Sequence, residues 1–369
     1  MTDQTGEPVE GRPLGTPALP AECYTDPDFY AREQRHVFDS GWLPLCRLSD
    51  APAEPGFVPV SAGGRDLLLT RDSGGDLRLL VNACSHRGMT LTEEPVPGGR
   101  VECLYHKWTY GPDGALRSAP LVAPTLDRAA CALPRVRWEV WLGWIFVNLS
   151  GTAEPLTPQL TGLAAELDGW RIDEMVTAAS IEFDSPWNWK VMWENFNEYY
   201  HHLGTHRYSL EPLLPARTAR CADNAGQPWS LTSMPCDEDY LDMQAFMDQE
   251  SAPTSDMHLF SVFPLLCAGV QPGSAFWLQI LPGTVDRHRV IWHLLLPPSV
   301  PHEPGYQQRL EVTMNGLEQI HIQDMETCRL VQRGLANRHG HGSVLTSYEL
   351  PIAQLHEWII GRMPADGAR

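Results

Sequence analysis

The feature that most constrains this chain of 369 residues is a set of four side chains suited to binding metal. Cys84 and His86 form a C-x-H pair, and Cys103 and His106 form a C-x-x-H pair after 16 intervening residues. Two thiolates and two imidazoles on two short loops indicate a metal group around which a small domain folds. On ligand type and spacing alone, a structural zinc site remains open.

Composition and charge narrow the class of protein. The formal net charge of −19 argues against binding to nucleic acid or to an anionic membrane surface. No run of 18 apolar residues is present, so we expect no transmembrane helix. The nine cysteines are odd in number and irregularly spaced, which differs from a secreted disulfide framework. We therefore expect a protein of the reducing cytoplasm.

The length predicts two or three domains. Composition shifts along the chain divide it into four predicted segments: a disordered tail at 1–20, a lead-in to the catalytic domain at 21–40 with a short strand and then a helix, a small all-β domain at 41–152, and a larger domain at 153–369. Asp26 is the predicted N-cap of the lead-in helix, with Pro27 at its first position.

Apolar runs between turn residues predict the main strands, and apolar periodicity predicts the helices. The predicted strands are Phe57–Val60, Asp66–Arg71, Leu77–Cys84 and Trp141–Leu149 in the small domain, and Ala178–Ser185, Ala275–Leu281 and Val290–Pro297 in the larger one. The predicted helices of the larger domain span about 187–203, 305–335 and 351–362.

The segment 186–206 is a second candidate site because three histidines and two glutamates crowd it. Glu198 and His201 are three residues apart and share a helix face. His201 and His206 are five residues apart, which is about 140° on an ideal α-helix. The helix must loosen for both to bind one metal, at Gly204 or through a π-type turn. Spacing alone leaves a metal site and a polar helix face open.

A third piece of this site lies far downstream. The helix predicted over 305–335 places Asp324 inside an apolar stripe, where a carboxylate is costly unless it is paired or bound to metal. One alternative is a salt bridge to an arginine such as Arg329 or Arg333. Together with His201 and His206, Asp324 completes the two-His, one-carboxylate set of mononuclear non-haem Fe(II) oxygenases.

These motifs, in this order, resemble the catalytic alpha subunit of a Rieske non-haem iron oxygenase. The resemblance runs from about Pro20 to the end of the chain and rests on several motifs. They are the lead-in ending in FDSGW at Trp42, the cluster loops at 84–106, the segment NWK…ENF…E-x-Y-H-x4-H within 187–206, the helix segment 323–335 and the closing helix at 347–358. The family implies an α+β fold, in which a small all-β Rieske domain precedes a catalytic domain with a helix-grip (START-like) antiparallel sheet flanked by helices.

The resemblance implies two iron centres. The Rieske 2Fe–2S cluster would be bound by Cys84 and Cys103 on one iron and by His86 and His106 on the other. The mononuclear Fe(II) would be bound by His201, His206 and Asp324.

The family also implies catalytic roles and partners. Glu198 matches the acidic residue that bridges the centres, between an iron-bound histidine of its own subunit and a cluster histidine, His106, of a neighbour. Asn195 matches a position near the iron. The family implies a homotrimer, O₂ as co-substrate, and electrons from a separate reductase or ferredoxin. NAD(P)H acts only indirectly, and the chain shows no G-x-G-x-x-G fingerprint.

Three departures from the family pattern stand out. The usual C-P-Y-H-G-W has Leu104 in place of proline and Lys107 in place of glycine, which affects the rigidity and charge of the cluster loop. Lys107 with Arg87 and Arg117 predicts either a basic patch for an acidic ferredoxin or an ordinary solvated surface. Gln323 replaces a common glutamate.

The favoured reaction is hydroxylation or oxidative dealkylation of a small organic substrate by a monooxygenase. The alternatives are a ring cis-dihydroxylating dioxygenase alpha subunit, a Rieske electron carrier, and a scaffold without turnover. An aromatic pocket suits either a quaternary ammonium, through cation–π contact, or a flat apolar ring. The candidate pocket residues are Phe196, Tyr199, Leu203, Phe260, Phe263, Leu265, Phe276, Trp277 and Trp292.

Overall fold

The computed structural model describes residues 13–244, 246, 252–337 and 344–364. The chain forms two compact units, one of Trp42–Ala153 and one of Met1–Gly41 together with Glu154–Arg369. Within the described ranges, no helix is both long enough and apolar enough to cross a membrane.

The N-terminal segment is more ordered than its composition predicts. It contains β1 (Pro13–Pro17), α1 (Glu22–Thr25), α2 (Pro27–Glu33) and a π-helical turn. Strand β1 pairs antiparallel with the distant strand Val344–Thr346, so the predicted disorder at 1–20 is wrong from residue 13 onward. Local composition does not reveal a partner strand more than 300 residues away. Residues 1–12 lie outside the described ranges.

The lead-in is helical from its start. The short strand expected before the helix is wrong, because α1 occupies that position. The predicted cap of α2 is confirmed: the side chain of Asp26 accepts a hydrogen bond from the N–H of Asp28, and Pro27 is the first helical residue.

The unit of residues 42–153 is all-β. Its strands are β2 (Leu43–Arg47), β3 (Gly56–Ala62), β4 (Arg65–Arg71), β5 (Leu77–Val81), β6 (Val96–Pro97), β7 (Val101–Glu102), β8 (Thr109–Tyr110), β9 (Leu116–Ser118), β10 (Arg137–Trp141) and β11 (Trp144–Asn148). They form antiparallel sheets in the orders β10-β11-β2, β5-β4-β3-β6 and β7-β8-β9. The strand predicted over Trp141–Leu149 is confirmed as β11, but it begins only at Trp144, because Leu142 and Gly143 both adopt positive φ and make a hairpin turn there.

The larger unit is built on one antiparallel sheet. Its further elements are α3 (Leu156–Gln159), α4 (Thr161–Glu166), β12 (Val176–Ser185), α5 (Trp189–Phe196), β13 (Arg220–Cys221), β14 (Trp229–Met234), α6 (Glu238–Met243), β15 (Met257–Val262), β16 (Leu266–Gln271), β17 (Ser274–Thr284), β18 (Arg287–Leu296), α7 (Tyr306–Ala336), β19 (Val344–Thr346) and α8 (Leu350–Ile360). Strands β12 to β18 form a seven-stranded sheet in the order β12-β18-β17-β16-β15-β14-β13.

Strands β12, β17 and β18 correspond to the strands predicted for this unit, whereas β13 to β16 were missed. Every residue of β15 and β16 is buried, so these strands lack the apolar–polar alternation that marks a half-exposed strand. Helix α7 packs on the part of the sheet formed by β12 and β18, where Tyr306, Leu310 and Met314 of the helix share one apolar cluster with Leu294 and Leu296 of β18 and Ala178 of β12.

A buried ion pair joins the N-terminal segment to α5. The ammonium of Lys190 lies 2.7 Å from Oε1 of Glu33, and both side chains are 0% exposed. The Trp189 indole N–H donates to the other carboxylate oxygen at 3.4 Å, and the Lys190 ammonium lies 5.1 Å from the centre of the Tyr24 ring. Because each charge has a close partner, neither is buried uncompensated.

We expect Lys190→Met to lower the free energy of unfolding by about 3 kcal/mol, because the carboxylate of Glu33 is then buried without a counter-charge. Urea titration followed by circular dichroism measures the loss. The double variant Glu33→Leu/Lys190→Met should recover most of it. The control is Arg289→Met, which breaks an exposed pair with Glu182 and should cost no more than about 1 kcal/mol. A loss in the control as large as that in Lys190→Met would contradict this account.

Candidate active site

The two cysteine–histidine loops share one backbone pattern. In each loop the cysteine N–H donates to the carbonyl five residues further on, at 2.8 Å for both Cys84 and Cys103. Each cysteine carbonyl accepts from the N–H four residues further on, which belongs to Gly88 in one loop and Lys107 in the other. Both of these residues have positive φ, 74° and 61°. Lys107 therefore holds a left-handed conformation that glycine adopts without steric cost and lysine does not.

The two cysteines and the two histidines of these loops differ in their exposure to solvent. The thiols of Cys84 and Cys103 are buried, whereas His86 and His106 are exposed with ring centroids 4.6 Å apart. Trp108 stacks on His86 at 4.8 Å. One tetrahedral zinc ion needs its ligand atoms within about 4 Å of one another. In the part of the chain that the structure describes, the ligand atoms of Cys84, His86, Cys103 and His106 do not come close enough together to hold a single ion. The donor set and spacing fit a two-iron cluster better than zinc.

The surface beside the cluster loops carries paired charges. The Lys107 ammonium lies 2.9 Å from a carboxylate oxygen of Glu102, and Arg117 lies 2.7 Å from Asp113. The guanidinium of Arg87 lies over the ring of Tyr105. The basic patch expected from Lys107, Arg87 and Arg117 is therefore partly neutralised by carboxylates.

The second site depends on a break in the helix predicted over 187–203. Asn188 caps α5 by accepting from the N–H of Lys190 at 3.0 Å, but the helix ends at Phe196. The chain then forms a separate 3-10 turn at Tyr200–Leu203. The single helix is thus wrong, because α5 ends before His201. The loosening predicted at Gly204 is confirmed, since the 3-10 turn ends at Leu203 with Gly204 as its C-cap, so His201 and His206 do not share one helix and the 140° separation does not apply.

Helix α7 completes a compact set of ligand atoms. One atom each of His201, His206 and Asp324 lies within 4.8 Å of the others. Oδ1 of Asp324 is 2.9 Å from Nε2 of His206 and 3.5 Å from Nε2 of His201. Among the described ion pairs Asp324 contacts histidines rather than Arg329 or Arg333, and Arg329 pairs with Glu326 at 2.7 Å. The structure therefore brings together the three side chains predicted from widely separated motifs.

Further polar groups orient each member of the triad. Oε1 of Glu198 lies 2.8 Å from Nδ1 of His201, and its Oε2 accepts from the His201 backbone N–H at 3.0 Å. Oε1 of Gln323 lies 2.8 Å from Nδ1 of His206. Asn195 donates to Asp324 at 3.2 Å. Both imidazoles thus turn Nε2 toward one point, as partners of metal-bound histidines do. The role of Gln323 was missed, because only its departure from the family pattern was visible.

Electrostatics keep the carboxyl group of Asp324 ionised and the neighbouring His202 neutral. Burial alone would raise the pKa of Asp324, but the two neighbouring imidazoles hold that pKa below its usual value. Burial lowers the pKa of His202 to about 3, so this ring stays neutral. Its Nδ1 lies 3.0 Å from the carbonyl of Leu214, which separates its role from those of His201 and His206.

Comparison with known proteins agrees with this geometry. The model of the ring hydroxylating alpha subunit catalytic domain matches residues 172–365, more than half of the chain. The chain belongs to the ring hydroxylating alpha subunits. A model of the Rieske [2Fe-2S] domain matches residues 41–135 of the same alpha subunit. Membership implies a 2Fe–2S cluster, a mononuclear iron and O₂ as co-substrate, which confirms the predicted family, fold class, cofactors and oxidoreductase class.

Individual relatives come from two branches. This chain is 24% identical over 335 residues to the carnitine monooxygenase oxygenase subunit of Acinetobacter baumannii. The match covers 89% of this chain and 88% of the relative. The chain is 30% identical over 214 residues to the glycine betaine monooxygenase oxygenase subunit of Chromohalobacter salexigens, covering 58% of this chain but only 48% of that relative. It is also 30% identical over 190 residues to the alpha subunit of 2-aminobenzenesulfonate 2,3-dioxygenase of an Alcaligenes species, covering 50% and 48%.

Solved structures share the fold. The quaternary ammonium Rieske monooxygenase CntA superposes with a TM-score of 0.80 at 20% identity, over 94% of this chain and 95% of CntA. Naphthalene 1,2-dioxygenase from a Rhodococcus species superposes with a TM-score of 0.77 at 21% identity, over 95% of each chain.

A cavity of about 650 Å³ adjoins the triad. Four of the predicted pocket residues line it, namely Phe196, Tyr199, Phe276 and Trp292. Phe276 and Trp292 stack with ring centroids 5.6 Å apart, and Phe196 meets both rings edge-on at 6.2 and 5.9 Å. Part of the cavity wall is thus an aromatic surface supplied by α5, β17 and β18.

The other predicted pocket residues do not line this cavity. Trp277 follows Phe276 in β17, so it faces the opposite side of the sheet and stacks on His293 at 4.5 Å. Phe263 packs against Trp358 instead, and Leu203 is 51% exposed. The remaining two, which are buried elsewhere, are Phe260 and Leu265. Residue type predicted burial correctly for all of these except Leu203, but strand alternation decided which face of the sheet Trp277 occupies.

Sequence reasoning missed a group of polar residues in the cavity wall. We call Tyr240, Gln244, Gln271 and Ser274 the hairpin polar cluster, because Gln271 and Ser274 flank the β16–β17 turn. The Tyr240 hydroxyl donates to Oε1 of Gln271 at 2.5 Å. Nε2 of Gln271 donates to Gln244 at 3.0 Å and to Ser274 at 3.1 Å. No spacing rule marks such a cluster, because only the hairpin and α6 bring its members together.

One glycine makes room for the aromatic wall. Gly269 of β16 is the cross-strand partner of Phe276, and a Cβ on Gly269 would lie 2.3 Å from the Phe276 ring. The ring therefore covers the bare backbone of Gly269, and this contact sets the position of Phe276 in the cavity wall.

We expect Gly269→Ala to lower the free energy of unfolding by about 1–3 kcal/mol, because the new methyl group displaces a packed ring. Chemical denaturation measures the change. The matched control is Gly316→Ala in α7, where a Cβ meets no atom within 4 Å. That substitution should raise stability by up to about 1 kcal/mol, since alanine favours the helix interior. Equal effects of the two substitutions would show that the ring contact is not what matters.

Proposed function

We propose that this protein is a Rieske-type oxygenase that uses O₂ to hydroxylate or oxidatively dealkylate a small organic substrate. The observation that carries the proposal is the buried triad of His201, His206 and Asp324 beside a cavity of about 650 Å³, in a chain that also holds the four-residue cluster set. A Rieske electron carrier would leave both the triad and the cavity without a use.

The cluster set is assigned as follows. The thiolates of Cys84 and Cys103 bind one iron, and the imidazoles of His86 and His106 bind the other. The exposure of both histidines supports this assignment, because electrons must enter and leave the cluster through the protein surface. The Tyr110 hydroxyl, 3.3 Å from Sγ of Cys84, is placed to donate to a bound thiolate and so to influence the reduction potential.

When bound, the cluster transfers single electrons and the mononuclear ferrous ion binds and reduces O₂. The residues of the chain position these groups. Glu198 fixes the ring of His201 and Gln323 fixes that of His206, while Asn195 steadies the carboxylate of Asp324. The aromatic wall of the cavity excludes water from the face on which substrate lies.

We assign Glu198 the bridging role between subunits, in contact with His106 of the partner subunit in a homotrimer. The work on CntA concerns inter-subunit electron transfer, which supports this arrangement. Electrons come from a separate reductase or ferredoxin, so NAD(P)H is used only indirectly. The nine cysteines are all unpaired, which supports a reducing, cytoplasmic location. The proposed domains are the lead-in at 21–40, the Rieske domain at 41–152 and the catalytic domain at 153–369.

Monooxygenation is favoured over ring dihydroxylation, because the relatives include carnitine and glycine betaine monooxygenase subunits. In a dealkylation of this kind, O₂, two electrons and two protons convert a methyl ether into an alcohol, formaldehyde and water. The dioxygenase alternative is supported by the 2-aminobenzenesulfonate relative. The fate of O₂ separates the two, since a dioxygenase places both oxygen atoms in one product.

We expect anaerobically purified protein to contain about three iron ions and two sulfides per chain, because the cluster holds two irons and the triad one. Asp324→Ala should lose one iron and keep both sulfides. His202→Gln, the matched control, should keep all three irons. Iron and acid-labile sulfide assays with EPR after reduction measure these contents. Two irons in the unaltered protein would favour the electron carrier, and zinc without sulfide would overturn the cluster assignment.

The bridge between subunits makes a separate prediction. We expect Cys103→Ser chains, which lack the cluster, and His206→Ala chains, which lack the mononuclear iron, to be inactive alone. Co-expressed and co-purified, they should regain O₂ consumption, because the cluster of one chain then serves the iron of another. Adding Glu198→Gln to the Cys103→Ser chain should remove the recovered activity. No recovery in mixed oligomers of confirmed composition would refute transfer between subunits.

A further inference from the structure

The charge of the cavity wall bears on the identity of the substrate. None of the described residues that line the cavity is a lysine or an arginine. The sequence extends this observation, because the chain has no lysine or arginine between Arg220 and Arg287. That stretch supplies the hairpin polar cluster and most of the sheet residues that line the cavity, the others being Trp292 and Leu294 of β18. A substrate carboxylate placed there would lose its hydration and gain no cationic partner.

The carboxylates of the lining are also committed. Of the described lining residues, only Glu198 and Asp324 are acidic. Glu198 uses both oxygens on the ring and the backbone N–H of His201. Asp324 contacts His206 and Asn195 and belongs to the metal-binding triad. A substrate cation would therefore have to bind without a free carboxylate among these residues, through the aromatic wall alone.

The hairpin polar cluster offers uncharged hydrogen-bonding groups instead. Within the cluster, Gln271 donates to the amide oxygen of Gln244 and to the hydroxyl of Ser274. The amide N–H groups of Gln244 and the hydroxyl proton of Ser274 are not used in these two bonds. Both side chains line the cavity. These groups suit an oxygen acceptor such as a carbonyl, an amide or an ether.

We propose that the substrate is an uncharged, flat or apolar molecule that carries a hydrogen-bond acceptor recognised by the hairpin polar cluster. This inference rests on the proposed oxygenase function and narrows its substrate class. The aromatic wall takes the apolar body, and Gln244 and Ser274 take the acceptor. The two monooxygenase relatives are named for carnitine and glycine betaine, which both carry a carboxylate. On this proposal the cavity excludes such compounds.

Three probes of one shape test the proposal. They are 4-methoxybenzamide, 4-methoxybenzoate and 4-methoxybenzylammonium, which are neutral, anionic and cationic versions of one methyl ether. Binding to the iron-loaded, unreduced holoenzyme is measured by calorimetry without O₂. We expect the amide to bind at least about tenfold more tightly than either ion, because each ion loses hydration without gaining a counter-charge. Stronger or equal binding of the benzoate or the ammonium, or no binding of the amide, overturns the proposal.

Substitutions at Gln244 test the assigned contact. Gln244→Met removes the amide at similar size and should weaken binding of 4-methoxybenzamide by about three- to tenfold. Gln244→Arg supplies the missing cation and should strengthen binding of 4-methoxybenzoate by at least about tenfold. Gln227→Arg, at an exposed turn, is the matched control and should change neither. Unchanged affinities in both Gln244 variants, with native circular dichroism spectra, overturn the role of the cluster.

The same preparations separate this inference from the proposed function. Binding is measured without turnover, so selective binding of the amide supports the substrate class even if no O₂ is consumed. Formaldehyde release on addition of a reductase and O₂ then tests the oxygenase function independently. If turnover occurs with the benzoate and not with the amide, the function stands and the substrate class is wrong.

Discussion

The end of the 3-10 turn at Leu203, between His201 and His206, is the constraint on which the candidate active site depends. A continuous α-helix would point His201 and His206 in different directions, whereas the 3-10 turn at Tyr200–Leu203 lets both face Asp324 of α7. The carboxylate of Glu198 stabilises this turn by accepting from the N–H of His201 while it also holds the ring. One side chain thus shapes the backbone and orients a candidate ligand.

Much of this site could be predicted because metal-binding side chains at characteristic spacings can be recognised directly in the sequence. A physical explanation is needed for two thiols and two imidazoles at such close spacing, and for a carboxylate inside an apolar stripe, before any fold is known. The end of α5 at Phe196 was not predicted, because no proline or glycine marks residues 197–199. Tertiary contacts of Asn197 contribute instead, since its side chain donates to Sγ of Cys267 and accepts from the hydroxyl of Ser261.

The sheet and the cavity were harder to predict from sequence. Strands β15 and β16 carry no alternation because both of their faces are buried, and the same burial hides which aromatic rings face the cavity. Phe276 and Trp277 are adjacent in sequence and are both large aromatic residues, yet of the two only Phe276 lines the cavity. The register of β17 makes that choice. The hairpin polar cluster depends on the same register and on α6, so it too was invisible from sequence.

The division of the chain into units has a consequence for synthesis. The first 41 residues belong with residues 154–369, so the unit of residues 42–153 is an insertion within the larger one. Strand β1 finds its partner only when Val344–Thr346 has left the ribosome. The inserted unit can fold before then, and its cysteines are available for cluster assembly while the N-terminal segment is still unpaired. Buried side chains of the N-terminal segment, such as Tyr24 and Phe38, therefore lack their neighbours Glu194 and Trp189 until those residues have also been synthesised.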